Sequence, residues 1–279
     1  MITRFAPSPS GRLHAGHALA ALIPWREAKA ADGRFLLRIE DIDTERCRAE
    51  FEDGIFEDLI WLGLDWEEPV RRQSDHMADY AAALDRLKDR NLVYPCFCSR
   101  AEIRAEIARS DGAPHGPEGA LYPGTCRHLS DDERADRISH DQAHAWRLDV
   151  AKACAQFTQP LMWHDRLKGE TLALPQSHGD VVLARKDTPT SYHLSVVVDD
   201  ALQGITLVTR GEDLFESTHV HRLLQALLDF PVPDYFHHEL VCDDNGKRLA
   251  TRHKARSLEN YRLSGVSPQD LLSQLDFGL

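Results

Sequence analysis

The chain has 279 residues, a length that allows one large domain or two smaller ones. Its hydrophobic fraction of 42% supports a sizeable core, and no run approaches the roughly eighteen apolar residues of a membrane helix. The net charge of −12 argues against a chain that binds nucleic acid over its whole surface. Since the first residues also lack a signal-peptide pattern, we expect reduced cysteines and a cytoplasmic protein.

Strand and helix signals alternate over the first ninety or so residues. Residues 3–6 predict a short strand, 13–31 a helix, and 34–40 a buried strand. Thr44 and Ser74 are expected to cap the second and third helices. This order predicts a parallel sheet with crossover helices, and thus an α/β fold.

The alternation breaks after Cys98. Residues 110–127 are rich in glycine and proline, which predicts a long irregular segment of the kind that is functional or tied down. Strand signals return at 180–185 and 204–210, and a helix follows at 216–229. We interpret the chain as a nucleotide-binding sheet split by an insertion of roughly ninety residues. The expected parts are 1–98 and 179–240 for the two halves of the sheet, 99–178 for the inserted subdomain, and 241–279 for a loop and C-terminal helical segment.

The segment RFAPSPSGRLHAGH, residues 4–17, places a proline- and glycine-rich turn between a strand and a helix. The N–H groups and positive dipole end at such a helix start suit a phosphate. Gly16 allows close approach of a ligand to the backbone. His14 and His17 share one face of the first turn, where imidazole N–H groups can stabilise charge on a phosphate oxygen. The alternative is a capped helix with two surface histidines, which the preceding turn makes less attractive.

This segment resembles the HIGH signature of class I aminoacyl-tRNA synthetases in its glutamate-specific form. Further matches follow in one order: LLRIEDIDTER (36–46), GLDWEEPVRRQSD (63–75), YPCFCS (94–99), SYHLSVVVDDALQGITLVTRGEDLFEST (191–218) and GKRLATRHKA (246–255). The resemblance covers almost the whole chain. It implies a Rossmann-like parallel sheet, an inserted zinc-bearing subdomain and a C-terminal helical segment.

The resemblance also implies an activity. The family's anticodon-binding region has no counterpart before residue 279, and a catalytic part with a cysteine cluster resembles the family members that modify an anticodon. Such members activate L-glutamate with ATP and Mg²⁺ and esterify it to the queuosine base of tRNA(Asp), without needing tRNA for activation. We therefore expect ATP, glutamate and the tRNA(Asp) anticodon stem-loop as partners of a monomer.

A glutamate site needs arginine for the side-chain carboxylate and an acceptor for the α-ammonium group. Arg4 and Arg210 end predicted strands, where open α/β sheets bind ligands, and Glu40 ends another. Taken singly, these residues also fit surface ion pairs. The resemblance implies glutamate binding by Arg4, Phe5, Ala6, Pro7, Ser8, Glu40, Tyr192 and Arg210. It implies ATP binding by His14, Gly16, His17, Arg248, Thr251 and Arg252.

The expected chemistry is in-line attack of the glutamate α-carboxylate on the ATP α-phosphate. Positioning and charge stabilisation carry such a step, so no nucleophilic side chain is required. Mg²⁺ accompanies the nucleotide. His14 and His17 are the candidate catalytic residues.

The cysteines predict a zinc site. Cys96 and Cys98 are two residues apart, and Cys126 follows near the end of the irregular segment. A zinc tether would order a segment with little apolar content. Chemistry alone leaves His115 or His128 as fourth ligand, whereas the resemblance implies Tyr122. The other cysteines are expected to pack in ordinary contexts: Cys47, Cys154 and Cys242.

One position departs from the family pattern. The second class I signature carries a lysine where Thr251 stands in this chain. Loss of such a transition-state donor costs roughly 10²–10³ in rate. Arg252 or Lys254 would then have to serve the phosphate. The basic stretch 247–256 is either a solvated loop or part of the tRNA contact.

Three other functions stay open. A paralogue that binds tRNA or glutamate without catalysis is favoured only by Thr251. A truncated synthetase that charges a tRNA 3′ end would differ in its product. A zinc-dependent nucleic-acid module would explain the cysteines but not the histidine-containing segment at 4–17.

Overall fold

A computed structural model describes residues 1–109, 115–117, 119–241 and 256–274. Its strands are β1 Ile2–Phe5, β2 Arg34–Ile39, β3 Glu67–Arg72, β4 Val93–Cys96, β5 His115–Gly116, β6 Gly119–Ala120, β7 Ala145–Leu148, β8 Met162–Asp165, β9 Gly169–Leu172, β10 Val182–Ala184, β11 Leu207–Gly211 and β12 Asp234–His238. Its α-helices are α1 Ala15–Ala30, α2 Ala49–Trp61, α3 Met77–Asp89, α4 Arg100–Arg109, α5 Asp131–Ser139, α6 Val150–Cys154, α7 Tyr192–Leu202, α8 Ser217–Leu227, α9 Leu258–Leu263 and α10 Pro268–Gln274.

The centre of the fold is a parallel sheet formed from two groups of strands. β1, β2 and β3 pair in parallel, and β11, β12 and β8 do the same, with β9 antiparallel at the outer edge. The groups meet where Thr206 N donates to Ile2 O at 2.9 Å, just before β11 begins. Helix α1 packs on this sheet through fully buried small residues, including Ala18 and Ala21. The predicted α/β fold class with a parallel sheet is confirmed.

A second, antiparallel sheet has the order β10-β7-β4. It shares a core with α3, α7 and α8, so it is packed onto the parallel sheet's helices. Strand pairing runs across the limits expected from the sequence: β8 lies within 99–178 yet pairs with β12, and β10 lies within 179–240 yet pairs with β7. The division of the chain by residue number stays a prediction.

Most predicted elements appear with ends shifted by a few residues, but two expected helix caps are wrong. Helix α2 begins after Arg48, and Thr44 lies in the turn before it. Ser74 lies in a 3-10 helix, Gln73–His76, ahead of α3. Its backbone N and its hydroxyl both donate to the Asp41 carboxylate, at 2.8 and 2.5 Å. The Ser74 hydroxyl therefore bonds to a residue distant in sequence and does not cap the helix.

Among the helices in the described part of the chain, none combines the length and apolarity that crossing a membrane requires.

Candidate active site

A cavity of about 520 Å³ opens where β1, β2 and β11 end and α1 begins. This is the edge at which open α/β sheets bind ligands. Its wall contains every site residue predicted within the described part of the chain apart from the metal ligands: Arg4, Phe5, Ala6, Pro7, Ser8, His14, Gly16, His17, Glu40, Tyr192 and Arg210. The structure thus brings together residues that lie up to about two hundred positions apart in the sequence.

The predicted ATP residues Arg248, Thr251 and Arg252 lie outside the described residues, as do Lys254 and Cys242. The described residues on either side of 242–255 lie at the cavity or next to one of its wall residues. Val241 lines it, and Ser257 forms a β-bridge with His14. Next to that bridge, Leu258 N donates to Leu13 O at 2.8 Å.

The two histidines cap helix α1 by their ring nitrogens. His14 Nδ1 accepts from Gly16 N, and His17 Nδ1 accepts from His14 N, each at 3.1 Å. Their ring centroids are 3.9 Å apart. Because both Nδ1 atoms accept hydrogen bonds, each neutral ring carries its hydrogen on Nε2. The local capping arrangement therefore makes Nε2 the donor atom of each neutral ring.

Gly16 has a packing role beside the one expected from the sequence. A Cβ atom at this position would lie 3.1 Å from His14 Cε1 and 3.2 Å from its Nδ1. Such contacts would push the His14 ring by a few tenths of an ångström. Gly16 therefore preserves the position of a predicted catalytic histidine.

Arg4 is paired with a carboxylate inside the protein. Its Nε donates to Asp200 Oδ1 at 2.9 Å, and its Nη1 donates to Thr209 O at 3.1 Å. The fully buried Arg38 shares Asp200, at 2.8 Å, and also reaches Glu40 at 3.2 Å. This network fixes Arg4 and Glu40 at the cavity and compensates much of the charge on Arg4.

Arg210 has different surroundings. Its Nε donates to His237 Nε2 (3.1 Å), its Nη1 to Tyr192 Oη (3.1 Å) and His221 Nδ1 (3.2 Å), and its Nη2 to Thr218 Oγ1 (2.6 Å). Among the described ion pairs, none joins Arg210 to a carboxylate. It is therefore a buried cation held by uncharged acceptors at the cavity wall.

The histidines beside Arg210 are kept neutral by their surroundings. Burial, with the nearby Arg210 charge, lowers the pKa of His237 to about 3 and that of His221 well below its usual range. Burial also raises the pKa of Glu40, although Arg38 and Arg4 oppose the shift. The pKa of Tyr192 is raised by burial too, so its phenol is protonated.

The cysteine cluster lies at the end of β4, away from this cavity. The sulfur atoms of Cys96, Cys98 and Cys126 all lie within 4.8 Å of one another. Tyr122 Oη lies 3.4 Å from Cys96 Sγ and 3.6 Å from Cys98 Sγ. The His115 side chain is outside the described residues, and His128 does not belong to this cluster. The described geometry favours Tyr122 as the fourth donor.

Several wall residues were not singled out from the sequence: Ala20, Val196, Thr209, Gly211, Asp213, Leu214, His238, Leu240 and Val241. The acceptors behind the wall were missed as well. Asp200 did carry a signal, because two acidic residues directly follow three valines in a segment that predicts burial. His221, His237 and Thr218 carried none, since such residues are ordinary on any helix or strand.

Three comparisons define the relationships of the chain. Residues 1–277 match the family model of tRNA synthetases class I (E and Q), catalytic domain. A protein of Rhodobacter capsulatus named glutamyl-Q tRNA(Asp) synthetase is 52% identical over 276 residues, 97% of this chain and 98% of that protein. A protein of Deinococcus radiodurans with the same name is 45% identical, over 98% and 86% of the two chains. A crystal structure of a glutamate tRNA ligase from Elizabethkingia meningosepticum, in complex with its amino acid, matches with a TM-score of 0.77 and 29% identity, covering 90% of this chain and 52% of that one.

The chain therefore belongs to the class I tRNA synthetases for glutamate and glutamine, and it has the catalytic domain of these ATP-dependent ligases. Within that family it matches, over nearly its whole length, proteins named glutamyl-Q tRNA(Asp) synthetase. The resemblance found in the sequence is confirmed.

Proposed function

We propose that this protein activates L-glutamate with ATP and transfers the glutamyl group to the queuosine base in the anticodon of tRNA(Asp). The names of the Rhodobacter and Deinococcus relatives support the acceptor. The observation that supports glutamate as the amino acid is a pair of opposite charges at one cavity. These are the Arg210 cation, which is held by uncharged acceptors, and the Glu40 carboxyl group at the end of β2. An amino acid with a side-chain carboxylate is complementary to both, because its carboxylate can pair with the arginine and its α-ammonium group with the glutamate.

In this proposal Arg210 pairs with the side-chain carboxylate of glutamate. Tyr192 Oη accepts from Arg210, so its own hydrogen remains for a ligand oxygen. Glu40 accepts from the α-ammonium group. Arg4, already paired with Asp200, shapes the site together with residues 5–8.

The α-carboxylate then attacks the α-phosphorus of ATP in line, which forms glutamyl-adenylate and releases pyrophosphate. His14 and His17 donate from Nε2 to phosphate oxygens as charge grows on them. Gly16 keeps His14 in place. Arg248, Thr251 and Arg252 are proposed to contact ATP with its Mg²⁺ on the strength of the resemblance. In the second step a queuosine hydroxyl attacks the glutamyl carbonyl, its proton is lost, and AMP leaves.

A zinc ion is proposed to be held by Cys96, Cys98, Cys126 and Tyr122. With zinc–sulfur bonds of about 2.3 Å, a tetrahedral site has ligand atoms roughly 3.5–3.8 Å apart. The contacts of Tyr122 Oη with two sulfurs, at 3.4 and 3.6 Å, fit this spacing. The Tyr122 oxygen also accepts from Cys126 N at 2.9 Å, and Arg147 lies 3.9 Å from its ring centroid. Burial and the bond from Cys96 raise the pKa of the Tyr122 phenol, whereas the bond from Cys126 N opposes that shift and favours the phenolate, the form that binds metal. The charge of a zinc ion would favour the same form, and the ion would tie residue 126 to the end of β4.

We further propose, on the strength of the resemblance, that activation needs no tRNA and that a monomer suffices for this chemistry. Because tRNA is the proposed substrate, we also propose a cytoplasmic location.

The test is ATP–pyrophosphate exchange that depends on glutamate, without tRNA, for the wild type and Thr251→Lys. Exchange by the wild type supports the activation step and shows that threonine is tolerated at 251. Exchange only by Thr251→Lys would favour a binding paralogue that has lost its chemistry. The acceptor is then mapped by periodate protection: glutamylation of queuosine protects its diol, whereas charging of a 3′ end protects the terminal ribose.

A further inference from the structure

A buried chain of hydrogen bonds runs from Arg210 away from the cavity. Arg210 Nε donates to His237 Nε2 at 3.1 Å, and His237 Nδ1 lies 2.7 Å from Asp165 Oδ2. The side chains of His237 and Asp165 are both fully buried. The carboxylate that could neutralise Arg210 is thus separated from it by one imidazole ring.

The donor and acceptor roles along this chain follow from Arg210. A guanidinium nitrogen donates only, so His237 Nε2 must accept, and the ring hydrogen must lie on Nδ1. Asp165 accepts that hydrogen. Its other oxygen, Oδ1, accepts from Leu167 N and Lys168 N, both at 2.9 Å. Asp165 is therefore fixed by backbone, and it holds His237 in one tautomer.

We propose that Asp165 and His237 are positioning residues that fix the Arg210 guanidinium in place without neutralising it, so that Arg210 selects a carboxylate ligand. The inference rests on the proposed function, in which Arg210 binds the glutamate side chain. The contrast with Arg4 supports it, because Arg4 meets the Asp200 carboxylate directly at 2.9 Å. A carboxylate placed directly on Arg210 would compete with the substrate, whereas one behind an imidazole orients the same cation and leaves its charge facing the cavity.

Two substitutions at His237 separate orientation from packing. In His237→Asn the amide corresponds to Nδ1, so it can still donate to Asp165 but offers Arg210 no acceptor. In His237→Gln the amide oxygen corresponds to Nε2, so it can accept from Arg210 while the bond to Asp165 is lost. Both remove the ring that stacks on Tyr235 at 5.7 Å and meets Phe215 at 5.1 Å. Any effect of lost ring packing is therefore common to the two variants.

The measurements are the KM for glutamate and kcat in ATP–pyrophosphate exchange, and glutamate binding by calorimetry with glutamine as comparison ligand. We expect His237→Asn to raise the KM for glutamate about 10-fold or more, as loss of a bond to a charged group implies. Its preference for glutamate over glutamine should fall as well. His237→Gln should recover most of both losses, with the change in KM rather than kcat.

Equal effects of the two variants would overturn the inference while leaving the proposed function intact. A wild type that binds no glutamate would overturn both. A measurement on the wild type covers the case in which a variant does not fold. In ¹⁵N-labelled protein the His237 ring, assigned by its loss in His237→Gln, should show the Nδ1–H tautomer, and the Nε2–H tautomer would refute the proposal.

Discussion

Replacement of Asp200 by asparagine tests the buried ionic network under the cavity. Asp200 accepts from Arg4 at 2.9 and 3.4 Å and from Arg38 at 2.8 Å. The side chains of these arginines are 5% and 0% exposed. Asparagine keeps one acceptor oxygen but presents N–H donors to a guanidinium and removes the shared negative charge.

The expected loss in the free energy of unfolding is about 3–5 kcal/mol, the range for breaking a buried ion pair from one side. Arg38 retains Glu40 at 3.2 Å and Asp199 at 3.7 Å, so the main part of the loss arises at Arg4. Asp85→Asn is the matched control, because it removes the half-exposed Lys88–Asp85 pair at 2.9 Å. It should cost less than about 1 kcal/mol.

The assay is urea unfolding of wild type and both variants at neutral and acidic pH. Burial alone would raise the pKa of Asp200, but Arg4 and Arg38 outweigh it, so the folded-state pKa is lowered. A lowered pKa contributes stability above the unfolded value, about 3.9, and loses it as pH falls through the folded value. The deficit of Asp200→Asn should therefore be full at neutral pH and shrink below about pH 4. A deficit no larger than that of Asp85→Asn, or one independent of pH, would refute the reasoning.

Three other substitutions test separate parts of the site. Cys126→Ser should lower the zinc content measured by mass spectrometry and the thermal midpoint, whereas Cys154→Ser should keep one zinc per chain; equal zinc in both would contradict the proposed ligands. Gly16→Ala should slow glutamate-dependent exchange about 10-fold by displacing the His14 ring, with the thermal midpoint unchanged or higher because alanine favours helix; an unchanged exchange rate would exclude that role. Burial raises the pKa of Glu40, so protonation of Glu40 should raise the KM for glutamate as pH falls. Glu40→Gln should have a high KM that lacks this dependence on pH. A variant that keeps the wild-type pH profile of KM would rule out Glu40 as the ammonium acceptor.

The sequence by itself determined those features of the site that depend only on residues close to one another along the chain. The turn before α1, the shared face of His14 and His17, and the spacing of Cys96 and Cys98 are local, so short segments predicted them. The positions of Arg4 and Glu40 at strand ends also followed from local patterns, because parallel strands end at a common edge.

Only the tertiary structure decided how the charges of the site are distributed. Arg4 meets Asp200, which is 196 residues away in sequence, while Arg210 meets Tyr192, His221 and His237, which are neutral. No local pattern distinguishes these two arginines, since each follows buried strand residues. Their difference arises because folding places a carboxylate against one guanidinium and an imidazole between the other and Asp165. The pairing of β8 with β12 could not be predicted from the sequence for the same reason, because strand partners are set by packing over long sequence separations.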